Sequence, residues 1–296
     1  MIRLTKEVFT WKNELSKEAF ELTQIPMMVK LLATVDDDGW PHLTFIAANK
    51  AKTQNQIVWG QFLHGKSKKF IQDRPKHGYL FMTIKMPFKM VQIKADFSHI
   101  LKSGEDLDFW NSRDMRYSTT MNVWRAFYSN IYKNSPIQAV SLGKLLKGII
   151  FTLLAKGAAR NKNVEHRLNN FGKKIFSGAM NPKFIAFLDP ADNYPIIVPC
   201  FQALAADDTK LVFSPTLFKE HLEYIPKGSK VAVFGMTMDF IAQVIKGTFQ
   251  GFNKYRGINL GEISIEKIYN SPPPLPGYIY PKLEVLPEIT DFSMPE

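Results

Sequence analysis

The feature that most limits how this chain can fold is that part of it occurs twice. Ala33-Thr-Val-Asp-Asp-Asp-Gly-Trp-Pro41 has a counterpart in Ala186-Phe-Leu-Asp-Pro-Ala-Asp-Asn-Tyr-Pro195. Ile57-Val58-Trp59 and Leu211-Val212-Phe213 each begin 16 residues past their proline. Gln92-Ile-Lys-Ala-Asp-Phe97 then answers to Gln243-Val-Ile-Lys-Gly-Thr-Phe249. Elements that recur in the same order at matching intervals point to two copies of one small domain, at about 28–103 and 182–256.

The first copy reads as strand-rich. Leu31–Val35 and His42–Ala48 are β-like runs joined by Asp36-Asp37-Asp38-Gly39, an Asp-Gly hairpin signal. Ile57–Gly60 is a third apolar run, and it leads into the basic turn His64-Gly65-Lys66-Ser67-Lys68-Lys69. Lys68–Asp73 suits a short helix that Pro75 stops, and Tyr79–Ile84 and Met90–Phe97 read as two further strands. Each copy is therefore expected to hold five strands and one small helix.

The flanking segments read as helical. Residues 5–30 are expected to be mostly helix, with Ser16 as N-cap and Pro26 as the stop. Between the copies, Glu105–Tyr117, Asn122–Tyr132, Ser141–Arg160 and Asn163–Ile175 are expected helices. In the third, Leu142, Leu145, Leu146, Ile149, Ile150, Leu153 and Leu154 recur at i, i+3, i+4 spacing, with Lys144 and Lys147 on another face. Such a stripe either packs on a barrel or a second subunit, or lies on a membrane. After the strand-like Gly261–Tyr269, the run Ser271-Pro-Pro-Pro-Leu-Pro-Gly277 favours an extended surface arm. The expected units are 1–104, 105–181, 182–269 and 270–296, in a mainly β chain with a helical insertion (α+β).

Composition narrows the function classes. A single cysteine, Cys200, excludes an internal disulfide framework and a Cys-based zinc site, and its apolar surroundings suit a buried thiol. Met1–Glu21 lacks an apolar signal-peptide core, and no apolar run reaches the roughly 18–20 residues that cross a bilayer, so a cytoplasmic location is expected. Residues 105–183 hold 13 Lys and Arg against 5 Asp and Glu, which is most of the chain's net charge of +11. That bias favours anionic partners. The segment fits no nucleic-acid motif, however, and no nucleic acid is expected. There is no dinucleotide-binding Gly-x-Gly-x-x-Gly after a strand, no P-loop, no His-Glu-x-x-His and no Gly-x-Ser-x-Gly. The six histidines lack metal-ligand spacing, so no metal site is expected.

What remains is the basic turn. A phosphate dianion needs fixed positive charge, a hydroxyl donor and free backbone N–H groups, and a strand-to-helix turn with Gly65, Lys66 and Ser67 supplies all three. The second copy does not keep it. There the chain reads Ser214-Pro-Thr-Leu-Phe-Lys219-Glu-His-Leu-Glu223, with one lysine flanked by two glutamates.

With these residues in view, Leu31–Phe97 resembles the FMN-binding split β-barrel of the pyridoxamine 5′-phosphate oxidase-like superfamily. The matching stretches are Ala33-Thr-Val-Asp-x-x-Gly39-x-Pro41-His42, the strand Leu43–Ala48, Val58-x-Gly60, the run Gly65–Lys69 and the strand Gln92–Phe97. The resemblance implies that Lys66 and Ser67 hold the FMN phosphate with help from Lys68 or Lys69. It implies that Thr44, Phe45, Ile46 and Ala47 line the flavin, and that Gly60, Gln61 and Phe62 lie near the ring system. It also implies a barrel pair with the cofactor between, here built inside one chain as a pseudo-dimer of two tandem split barrels. Phe201, Gln202 or Met236–Phe240 of the second copy would then touch the ring, with one site per chain.

Three function classes follow. The first is a flavin-dependent oxidoreductase acting on a small substrate or redox partner, with FMN as cofactor and FAD, deazaflavin or haem as alternatives. The second is a non-catalytic flavin- or haem-binding carrier or sensor. The third is a membrane- or nucleic-acid-associated module using the basic insert. No side chain stands out as general acid or base, and no catalytic residue is assigned. A monomeric pseudo-dimer and a homodimer are both compatible with the sequence.

Overall fold

The computed structural model describes residues 10–61, 65–112, 122–162, 164–239, 241–271 and 276–284. After α1 (Lys17–Thr23) come β1 (Met28–Val35), β2 (Pro41–Phe45), β3 (Asn49–Thr53), β4 (Gln56–Gln61), α2 (Ser67–Asp73), β5 (Lys76–Thr83) and β6 (Lys89–Leu101). Then follow α3 (Glu105–Asn111), β7 (Arg125–Asn134), β8 (Gln138–Ala139), α4 (Leu142–Lys156) and α5 (Asn170–Ser177). The second half comprises β9 (Lys183–Leu188), β10 (Pro195–Pro199), β11 (Leu204–Asp207), β12 (Lys210–Phe213), α6 (Lys219–Glu223), β13 (Lys230–Met236), β14 (Ala242–Tyr255), β15 (Ile258–Asn270) and β16 (Gly277–Tyr280).

The two halves have one topology. The first sheet runs β2-β1-β5-β6-β7-β4-β3 and the second β10-β9-β13-β14-β15-β12-β11, so each of these seven strands has its counterpart in the same place, while the eighth strand is β8 on β6 in the first and β16 on β15 in the second. In the first, Leu32, Ala51, Ile57, Tyr79, Phe81, Ile93 and Phe127 meet in one buried core. Contributions from β1 and β3 to β7 to one interior mean that the sheet is curled into a barrel. Phe187, Leu211, Phe213, Val233, Ile245 and Ile263 fill the second in the same way. The chain is thus a tandem pair of split barrels.

The Asp-Gly hairpin forms as expected. Asp36 Oδ1 accepts from the N–H groups of Asp38 (3.0 Å) and Trp40 (2.8 Å), and Gly39 takes the positive φ that the turn requires. Ser16 caps α1 through the Ala19 N–H, but the helix is shorter than expected. Among the described residues of 5–30 it covers Lys17–Thr23 alone, and Met28 already begins β1.

The largest correction concerns Asn122–Tyr132. It is not a helix in an insert; Arg125–Asn134 form β7, the strand between β6 and β4 that completes the first barrel. Its two faces are both buried, which hid the alternation. Phe127 points into the barrel, while Ala126 and Tyr128 pack under Leu107, Trp110 and Val123 of the α3 segment. Trp124, Phe127, Tyr128, Ile131 and Tyr132 are residues that suit a pleated surface. The short β3 and β11 were also missed, so each copy carries seven strands in order, not five.

A continuous apolar layer joins the barrels. Leu31, Ala33, Leu43, Leu80 and Met82 of the first half pack with Phe184, Ala186, Ile197, Ala232 and Phe234 of the second. The contact is two-fold in character: β2 lies on β9, β13 and β14, while β10 lies on β1, β5 and β6. Two buried ion pairs follow the same symmetry. Lys94 Nζ of β6 reaches Asp189 Oδ2 (2.5 Å) and Asp192 in the second barrel. Lys246 Nζ of β14 reaches Asp36 Oδ2 (2.6 Å) in the first. Each Asp caps its own turn and takes a lysine from the other copy.

Candidate functional site

The basic turn lies where α2 begins, beside the end of β2 and facing the second barrel. Thr44 Oγ1 of β2 and Ser67 Oγ of α2 are 2.6 Å apart. Lys66 sits at the N-cap position of α2. Lys68 is half-buried, and its ammonium is held below the ordinary lysine range by desolvation first and then by the charge of Arg125. Arg125 lies opposite Gln61 in the β4–β7 register. The start of α2 thus carries the Thr44–Ser67 hydroxyl pair, the flanking Lys66 and Lys68, and Arg125 near Lys68, residue types that suit an oxyanion.

The second barrel supplies the opposite wall. The Tyr269 ring of β15 stands edge-on to His42 at 4.6 Å, and His42 is likewise edge-on to Phe70 of α2. Burial raises the Tyr269 hydroxyl well above its usual range, as does Glu284, while a hydrogen bond with the Lys66 backbone opposes them. His42 is buried, and its Nδ1 has no hydrogen-bond partner among the described residues. Desolvation first, then Lys246 and Lys66, holds its ring neutral, well below the ordinary imidazole range. Tyr278 of β16 lies 4.9 Å under the Lys66 ammonium.

The C-terminal segment brings an anion of its own to this place. Glu284 Oε1 accepts from Lys66 Nζ at 2.5 Å, and Oε2 from the Tyr278 N–H at 2.9 Å. Partial burial works to raise its pKa, but Lys66 and the Tyr278 N–H outweigh that and hold it below the usual carboxylate range. Lys66 is thus already acting as an anion receptor.

The residues named from the sequence divide into three groups. Thr44, Lys66, Ser67 and Lys68 come together, with Gln61 beside them on β4. Four are placed elsewhere. Ile46 points into the core of the first barrel, and Phe45 packs into the layer between the barrels. Lys69 is exposed and pairs with Asp37 and Asp73. Gly60 does not offer an open face, since a Cβ there would meet Val123 at 2.7 Å and Trp110 at 3.1 Å. Ala47 is exposed at the end of β2. Phe62 and His64 lie outside the described residues.

The expected contacts from the second copy are also relocated. Gln202 donates to the Ser214 carbonyl under α4, and Phe201 packs edge-on to Phe184. Met236 packs against the inter-barrel layer, and Phe240 lies outside the described residues. Beside the basic turn the second half instead places Tyr269, Tyr278 and Glu284. In sequence, these three carry no signal beyond their position after the second copy.

At the corresponding place in the second barrel, Lys219 faces Glu223 at 3.9 Å. Helix α4 packs nearby, on the stretch between β12 and α6. The Ser214 N–H donates to Thr152 Oγ1 at 2.9 Å, and a Cβ at Gly148 would touch Gln202 and Thr216.

No family model and no curated protein matches the sequence. Among solved structures, the chain is similar to an FMN-binding protein from Syntrophomonas wolfei subsp. wolfei, at 16% identity over 43% of this chain and 86% of that one, with a TM-score of 0.36. A FAD-binding protein from Mesorhizobium loti is similar at 11% identity over 44% of this chain and 98% of its own, with a TM-score of 0.31. The haem storage protein of Vibrio cholerae is similar at 12% identity over 42% and 94%, with a TM-score of 0.32.

Proposed function

We propose that the chain binds one flavin mononucleotide, with its phosphate held by Lys66, Lys68, Ser67 and Thr44 at the start of α2. The observation that carries this reading is the Thr44–Ser67 hydroxyl pair set between two lysines, one of which already holds a carboxylate. Lys66 and Lys68 neutralise a dianion, the hydroxyls donate to its oxygens, and the unpartnered His42 Nδ1 is a further polar atom beside them. The Tyr269 and Tyr278 rings exclude water from one side, which strengthens each charge-assisted bond. When bound, flavin supplies hydride or electron transfer for a small substrate. The chain's part is to bind and orient it.

One site per chain is expected, because at the matching turn the second copy has Lys219 flanked by Glu220 and Glu223 in place of the lysine cluster. Glu284 competes for Lys66, so the C-terminal segment must yield when phosphate enters.

The visible spectrum of the purified chain tests the cofactor, and the flavin-to-protein ratio tests the number of sites. A ratio near two would overturn the asymmetry. Lys66→Ala with Ser67→Ala removes bonds to a charged group of about 1.5–3 kcal/mol each, so FMN binding should weaken at least about tenfold. Lys219→Ala should leave it unchanged, and equal effects would mean that the site is misplaced. Reduction of bound flavin by NADH or NADPH with turnover separates an enzyme from a carrier.

A further inference from the structure

Helix α4 has two apolar faces, and the barrel uses one of them. Leu145, Gly148, Ile149, Thr152 and Ala155 are buried, and the helix packs on β11, β12 and β15 of the second barrel. Leu142, Leu146, Ile150, Leu153 and Leu154 point away from it and are 42–55% exposed. Their spacing of three and four residues makes them one continuous aliphatic stripe along the outer side of the helix. The expected packing on a barrel is therefore met by one side of the helix, and the other side carries an exposed stripe.

The rim of this stripe is basic. Lys144 and Lys147 are exposed within the helix, and Arg160 and Lys162 are exposed just after it. Residues 141–164 contain no aspartate or glutamate. The β14–β15 hairpin adds exposed Lys254 and Arg256, whose guanidinium donates to the Leu154 carbonyl. An aliphatic stripe of this size, bounded by cations and without acids, is not the usual surface of a solvated helix.

We propose that the outer face of α4 docks on an anionic membrane surface, with the Leu and Ile side chains in the headgroup–acyl boundary and the lysines and arginines at the phosphates. The charge distribution selects this occupant. A second copy seated on the same face by two-fold symmetry would bring Lys144, Lys147, Arg160 and Arg256 against their own images in a desolvated contact. An anionic bilayer offers the opposite charge over the whole rim and a fluid apolar layer that needs no matching groove. The helix lies flat in this arrangement. At 15 residues it is too short to span a bilayer, no described helix is long and apolar enough to cross one, and its inner face is already fixed to the barrel. The docking does not depend on the flavin reading, since it uses none of the residues assigned to the phosphate.

Co-sedimentation of the full chain with vesicles tests it. Vesicles of phosphatidylcholine with phosphatidylglycerol should carry the protein down at low salt, high salt should weaken the binding, and phosphatidylcholine alone should bind far less. Leu146→Ser with Ile150→Ser should reduce binding about tenfold or more. Lys144→Glu with Lys147→Glu should do the same while leaving the stripe intact. Both pairs are exposed, so the melting temperature and flavin content should stay at wild-type values. Absence of vesicle binding would overturn the proposal, as would equal binding to neutral and anionic vesicles. So would a concentration-dependent dimer, seen by sedimentation velocity, that Leu146→Ser with Ile150→Ser abolishes, since the stripe would then be an interface between copies.

Discussion

Replacing Asp36 with asparagine should cost the chain about 3–5 kcal/mol, far more than a surface charge would, because the buried Lys246 ammonium would be left with the neutral Tyr278 hydroxyl in place of a carboxylate. Both side chains are almost fully buried between the barrels, with Nζ and Oδ2 2.6 Å apart. Burial drives Lys246 down to about 8 even with Asp36 pulling it up, so removing the carboxylate leaves the full desolvation cost without its main compensation. The amide introduced by Asp36→Asn would keep an oxygen to cap the turn for Asp38 and Trp40, so the change isolates the charge. Lys246→Met alone should also destabilise, but the Asp36→Asn, Lys246→Met double variant should recover most of the loss. The symmetry-related pair is an internal control. Lys94 has both Asp189 and Asp192 within reach, so Asp189→Asn should cost clearly less than Asp36→Asn. Urea unfolding followed by fluorescence and circular dichroism measures all of these. Additive single and double effects, or an equal cost for Asp189→Asn, would refute the cross-barrel assignment.

Three further outcomes are expected. Gly78→Ala places a Cβ 2.2 Å from the Pro195 carbonyl oxygen across the barrel interface, where neither backbone can turn aside; the cost should be roughly 1–3 kcal/mol, against nearly none for Gly65→Ala, in the same urea assay. His77 is buried between the Pro75 carbonyl and the Tyr79 hydroxyl, and desolvation lowers its pKa to about 4. The unfolded chain binds this proton near 6.5, so between about 6.5 and 4 it holds more protons than the folded one and stability falls as pH falls, by about 3 kcal/mol; a pH series of urea midpoints on His77→Gln should show a flatter acid limb. Glu284→Gln removes a half-exposed ion pair worth at most about 1 kcal/mol, so FMN titration should show affinity rising up to about fivefold; a fall would mean that Glu284 belongs to the site and does not compete for it.

The duplication was legible because its chemistry repeats: Asp36 and Asp189 at the hairpins, Lys94 and Lys246 on the long strands. That each lysine serves the other copy's aspartate was not legible, since a swapped pair and an internal pair have the same sequence. Strand β7 was misread because an alternating pattern needs one wet face, and Ala126 and Tyr128 are covered by the α3 segment while Phe127 fills the barrel. The basic turn was visible as a local cluster of Lys66, Ser67 and Lys68. Its opposite wall was not, because Glu284 lies 218 residues away from Lys66 and reaches it only through the pairing of β16 with β15. The space beside Gly60 was not legible either, since Val123 and Trp110, which fill it, lie 63 and 50 residues on in the chain.

The two barrels share one strand order, and what lies over them differs. On the first, α3 lies on β4 and β7, covering Gly60 and Val58 but leaving the start of α2 to the C-terminal segment. On the second, α4 lies on the matching strands β12 and β15 and continues over Ser214–Thr216, the stretch that follows β12. The helix that covers Ser214–Thr216 is the same one that turns Leu146 and Ile150 outward, so covering one side of the second barrel and exposing an aliphatic stripe are two results of a single packing choice.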